Sequence, residues 1–195
     1  MRAVTVAAVV VLAIHGLARA AQQTVPGKIV VVKNASNDPA GRKLLYKTSD
    51  GPASLHGLVG DPTQPPGARM KVRLGSNAQC FAMPAGNWHA VGATGYRYQD
   101  IVGAYGAVTL AQVKRTRSGV FQIKVLMSGK HGAIDVVPFQ GADLDTNLSL
   151  AAGDEYCAAF GDFPGGGMVV SDGPKVYKVL DSDAPASCNV TACTP

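Results

Sequence analysis

Turn signals interrupt this chain every 8 to 15 residues, and between them lie short runs in which apolar and polar side chains alternate. Residues 28–33 are largely β-branched and bounded by Pro26-Gly27 and Asn34. In residues 69–74, Met70, Val72 and Leu74 fall on one face and charges on the other, and residues 120–127 place Phe121, Ile123, Val125 and Met127 together in the same way. A period of two, closed by Gly, Pro, Asn or Asp, is the pattern of a strand with one face buried and one wet. It predicts further strands at 43–47, 79–83, 88–91, 96–99, 108–114, 155–160, 168–171 and 176–181. Ser118-Gly119 predicts a hairpin with a basic tip, and Asp172-Gly173-Pro174 a second reversal. Only residues 142–152, which lack Gly and Pro and carry Leu144, Leu148 and Ala151 at helical spacing, read as one short helix. About ten short strands with at most one helix predict an all-β domain, an antiparallel sandwich or barrel.

Residues 1–20 read as a secretory signal. Arg2 supplies a positive start, residues 3–14 an apolar stretch broken only by Thr5, and Ala18-Arg19-Ala20 a small-residue cleavage site before Ala21. The apolar run is about 12 residues, short of the about 20 that a membrane span needs. The expected product is exported, periplasmic or extracellular, with no membrane span once the signal is cleaved. The remaining 175 residues, 21–195, suit one domain. Loss of Arg2 and Arg19 lowers the net charge from +5 to +3, which weakens any case for a nucleic-acid partner. A hydrophobic content of 47% argues against disorder.

Export makes the four cysteines, Cys80, Cys157, Cys188 and Cys193, a disulfide framework. Three pairings are open. The one favoured joins Cys80 to Cys157 and lets Cys188 and Cys193 close a six-residue loop that staples the tail. Zinc sites usually bring thiolates two to four residues apart together with further Cys or His, and no such set recurs here.

Motifs for chemistry are sparse. The Gly-x-Ser-x-Gly elbow, the zincin helix and the phosphate-cradling loop are missing from the sequence, and Gly165-Gly166-Gly167 reads as a turn. His56, His89 and His131 have no sequence-local partner that marks a base, although a triad assembled in space stays open. Asp143, Asp145, Asn147 and Asp154 have some of the spacing of a calcium loop, but Leu148 stands where the sharp-turn Gly belongs. Calcium is therefore the one cofactor the sequence raises. Trp88, Tyr96, Tyr98 and Tyr105 cluster within 18 residues and form either a sugar-stacking platform or part of the core. Arg115 and Arg117, in the basic run 114–117, offer a contact for anionic polysaccharide or phosphate. Asn34, Asn147 and Asn189 each begin a glycosylation sequon.

Three phrases in order, Gly95-Tyr-Arg-Tyr-Gln-Asp100, Glu155-Tyr-Cys-Ala-Ala-Phe-Gly161 and Asp183-Ala-Pro-Ala-Ser-Cys188 with Cys193 after it, resemble a family of short secreted proteins from high-GC bacterial genomes. The resemblance covers residues 66–195, with a weaker match at 43–47. It implies a β-rich extracellular domain and disulfide roles for Cys157, Cys188 and Cys193, and it implies no activity. The function expected first is a non-enzymatic exported sandwich that binds or packs against cell-surface polysaccharide or another exported protein. The alternatives are an extracellular enzyme cleaving polysaccharide or peptide, and a calcium-dependent interaction module.

Overall fold

The computed structural model describes residues 20–54 and 56–193. The expected leader lies outside the described residues except for Ala20. Thirteen strands are described: β1 (Gln22–Thr24), β2 (Gly27–Lys33), β3 (Lys43–Asp50), β4 (Ala68–Leu74), β5 (Asn77–Met83), β6 (Trp88–Ala90), β7 (Gly95–Gln99), β8 (Val108–Arg115), β9 (Phe121–Ser128), β10 (Leu144–Leu150), β11 (Glu155–Phe160), β12 (Met168–Gly173) and β13 (Val176–Ser182). They form a five-stranded sheet ordered β1-β11-β10-β4-β5 and an eight-stranded sheet ordered β12-β13-β2-β3-β9-β8-β7-β6. Every strand pair is antiparallel except β1 with β11. The all-β sandwich read from the alternation is the fold.

The alternation also explains how the sheets meet. Met70, Val72, Leu148 and Leu150 from the small sheet and Val30, Val32, Ile123 and Val125 from the large one are all buried. Two aromatic contacts cross the interface: Tyr46 meets Phe160 edge-on at 6.2 Å, and Phe121 stacks on Tyr156 at 5.1 Å. Such pairs contribute about 0.5–1.5 kcal/mol beyond their buried area. The Tyr177 hydroxyl, from β13, donates to the Phe160 carbonyl across the same gap at 3.0 Å. Gly27 permits this close approach, since a Cβ there would fall 2.3 Å from the Phe160 ring.

Residues 142–152 are a strand and turn rather than a helix. In β10, Leu144, Thr146, Leu148 and Leu150 face the core, while Asp145 and Asn147 on the opposite face are buried as well. A strand covered on both faces loses the simple in-and-out pattern, and its leucines then imitate a helical stripe.

The pairing expected for the cysteines is also corrected. The bonds are Cys80–Cys193 and Cys157–Cys188. Register gives the reason. Cys80 lies opposite Lys71, Lys71 opposite Asn147, and Asn147 opposite Cys157, so one outward row runs across β5, β4, β10 and β11. Its two cysteines are three strand spacings apart, about 14 Å. A disulfide requires Cα atoms within about 7 Å, which forbids Cys80–Cys157. The five steps from Cys188 to Cys193 reach about 17 Å when extended, enough to cross that row. The tail is therefore a strap over the outer face of the small sheet. Asn147 Nδ2, in mid-row, donates to the carbonyl of Val190 in the crossing segment at 3.0 Å, and Val190 is buried.

On the chain-entropy model, closing loops with sequence separations of 113 and 31 contributes about 4.8 and about 3.7 kcal/mol when each is taken alone. Peptide mapping without reduction should recover Cys80–Cys193 and Cys157–Cys188, and the double variant Cys157→Ala/Cys188→Ala should lose about 2–5 kcal/mol in denaturant titration. A Cys80–Cys157 peptide would contradict the crossing.

Candidate ligand-binding face

Because the apolar positions of β2, β3, β9, β8 and β7 point into the core, their alternate residues form the outer face of the large sheet. Register lines these up in rows. Ile29 lies opposite Lys47, Lys47 opposite Lys124, Lys124 opposite Gln112, Gln112 opposite Arg97, and Arg97 opposite His89. Lys114, opposite Gln122 and Gly95, sits one row away. No carboxylate side chain occupies the outward positions of these five strands. Among the described residues no salt bridge reaches Lys47, Lys114 or Lys124, whereas Lys28 at the margin pairs with Asp181 at 2.5 Å. Lys28, Lys47, Lys114 and Lys124 line an open basin of about 370 Å³, with Ser49 and Gln122 among its hydrogen-bonding groups.

The residues singled out by sequence are distributed differently. Trp88 and Tyr98 are buried, with ring centroids 5.6 Å apart, and Trp88 Nε1 donates to the Met83 carbonyl at 3.0 Å. Tyr96 is half-buried against the same core. Burial, with the charge of Asp100 nearby, pushes the Tyr98 hydroxyl up to about 12. Only Tyr105 of this group is well exposed, so the rings form no shared platform. Arg115 is a latch: Nη1 donates to the His56 carbonyl at 2.7 Å and Nη2 to the Ser54 carbonyl at 2.6 Å. Arg117 is exposed at the β8–β9 hairpin tip, where the sequence places it.

The four oxygen-bearing residues of the calcium pattern do not converge. Asp145 takes Arg73 Nη2 at 2.5 Å on one oxygen and Asn189 Nδ2 at 2.9 Å on the other, so it anchors the strap. Asn147 serves the strap too. Asp143 is exposed beside Gly161. Asp154 accepts from the Ala21 backbone and the Gln23 amide at the far end of the strand pair. Among the sequon asparagines, Asn34 and Asn147 are buried and Asn189 is exposed on the strap.

One constellation looks catalytic at first sight. His56 Nδ1 lies 2.6 Å from Asp50 Oδ2 and 2.9 Å from Ser54 Oγ. A proton relay needs serine and carboxylate on opposite ring nitrogens, and here both share Nδ1. The trio instead knits the turn after β3, and the Ser54 hydroxyl also accepts from the His56 backbone. Burial raises the Asp50 carboxyl, but hydrogen bonds from Ser54, His56 and Gly51 outweigh it and hold the group below its usual range. Asp100 behaves likewise: burial is outweighed by the backbone N–H groups of Tyr105, Ala104 and Gly103 and by the charge of His131. Gly103, at φ +74°, lets this loop lie against His131. His89 is exposed at the sheet edge.

The cationic row was missed by sequence reading because its members come from five separated segments. The available signal was a lysine or arginine at outward positions of nearly every predicted strand of that sheet. Compared with family models, curated proteins and solved structures, the chain finds no match in any of the three.

Asp50 and Asp100 have folded pKa values below the unfolded value of about 3.9. Their contribution is present above that value and is lost as pH falls through the folded values. Asp100→Asn should flatten the dependence of stability on pH below about 4, measured by urea titration at several pH values. An unchanged slope would place the acid sensitivity elsewhere. Arg115→Ala, which abandons two half-buried carbonyls, should cost about 1–3 kcal/mol in the same assay at neutral pH.

Proposed function

We propose that this is an exported, non-enzymatic binding protein that holds anionic cell-surface material on the cationic face of its eight-stranded sheet. Two disulfides suit an oxidising compartment, which supports export. The observation that carries the reading is the register of Lys47 directly opposite Lys124, with Arg97 and Lys114 close by and no facing carboxylate. Like charges directly across a strand pair destabilise a sheet. Lys33 opposite Lys43 repeats the arrangement. A fold that keeps two such pairs on one face gives up stability there, and an anionic ligand recovers it by neutralising both lysines at once.

Dextran sulfate is a suitable probe. Lys124→Glu should weaken its binding about tenfold, a loss of about 1.4 kcal/mol, while raising the Tm of the free protein, because the like-charge pair becomes an opposite-charge pair. The opposed signs separate a binding role from a structural one. Binding of the wild type should fall steeply between 0.05 and 0.5 M salt, approximate conditions chosen to span the shortening of the screening length. Equal affinity in Lys47→Glu, Lys124→Glu and the wild type would end the proposal.

A further inference from the structure

The same face carries a feature that anion binding alone does not require. Between the lysine pairs runs an aliphatic row: Val31 lies opposite Leu45, Leu45 opposite Leu126, and Leu126 opposite Leu110. All four are half-buried on the outer side of the sheet. Alternation in a sheet with one wet face calls for polar residues at such positions. Lys33 and Lys43 flank the row on one side, and Lys47 and Lys124 on the other, each two residues along its strand. That step is about 6.6 Å.

Val31, Leu45 and Leu126 line a basin of about 350 Å³ together with Lys33 and Lys43. The cationic basin lies next to it on the same strands, and Lys47 and Lys124 belong to its wall. One concavity is thus aliphatic, and its neighbour presents ammonium, hydroxyl and amide groups. No Trp, Tyr or Phe occupies an outward position on β2, β3, β7, β8 or β9, because Tyr46, Tyr96, Tyr98 and Phe121 all turn inward. Sugar rings are usually held against flat aromatic faces, and an alkyl chain needs none.

We infer that the ligand is a single-chain anionic amphiphile, with its phosphate or carboxylate head between Lys47 and Lys124 and its acyl or alkyl chain over Leu126, Leu45 and Val31 in the adjoining basin. The inference rests on the cationic face being a binding face. It adds a hydrophobic requirement, which polyanion binding does not share. Lysine stems flanking the row extend its apolar surface while their ammonium groups stay in water.

The test is calorimetric titration of the oxidised protein, below micelle formation, with inorganic phosphate, butyl phosphate, decyl phosphate and decyl maltoside, alongside dextran sulfate. Each fully buried methylene tightens binding about threefold to fourfold. Decyl phosphate should therefore bind at least about tenfold more tightly than butyl phosphate even when its chain is partly covered. Leu126→Gln, an outward change that spares the core, should remove that advantage and leave dextran sulfate affinity unaltered. Equal affinity for decyl and butyl phosphate, with dextran sulfate still bound, overturns the amphiphile and leaves the polyanion reading standing. Equal affinity for decyl maltoside and decyl phosphate overturns the anionic head. Failure of dextran sulfate and every phosphate to bind overturns both readings. The chain-length series uses the wild-type protein, so it decides the matter even where Leu126→Gln does not fold.

Discussion

The outward row Cys80, Lys71, Asn147, Cys157 is the constraint on which the small sheet depends. It sets the two sheet cysteines too far apart to bond each other, yet within reach of one short segment laid crosswise. The tail supplies that segment, and each of its cysteines takes one end of the row. Covalent closure at two points leaves little freedom for the residues between, so single hydrogen bonds from Asn147 and Asn189 suffice to seat them. Burial of Asp145 is tolerated because Arg73 and Asn189 both reach it. A buried carboxylate without such partners would cost several kcal/mol.

This crossing divides the surfaces of the sandwich. Both sheets send polar side chains outward, as alternation demands. Over β10 and β11, Asp145, Asn147 and Cys157 are engaged in holding the strap. Among the described residues no such strap crosses β2, β3, β9 and β8, and their outward lysines stay partly open to solvent. The surface proposed for binding therefore lies on the sheet that residues 188–193 do not cross.

Much of the fold is legible in the residues. Met70, Val72 and Leu74, or Phe121, Ile123 and Val125, declare a buried face by spacing alone, because that spacing is local geometry. Residues 142–152 mislead, since the strap buries the second face of β10 and nothing nearby in sequence announces it. The aromatic cluster leaves two readings open in the sequence, platform or core, and burial of Trp88 and Tyr98 bears out the core. Trp88 and Tyr98 are neighbours as expected, but the side of β6 and β7 that faces the core is decided by strands far away in the chain. The histidines show the limit most sharply. Asp50, Ser54 and His56 do meet, and only the shared Nδ1 reveals a turn lock rather than a relay.

The sequence by itself determined that this chain forms short antiparallel strands, that one face of most of them is buried, that all four cysteines suit an oxidised framework, and where its main hairpins turn. These follow from interactions over a few residues, and period-two alternation records them directly. Tertiary structure alone decided which cysteines pair, what covers each sheet, and that Lys47 stands opposite Lys124 beside an aliphatic row. Those outcomes depend on strand order and register, and a one-residue slip would turn every one of these side chains to the other face.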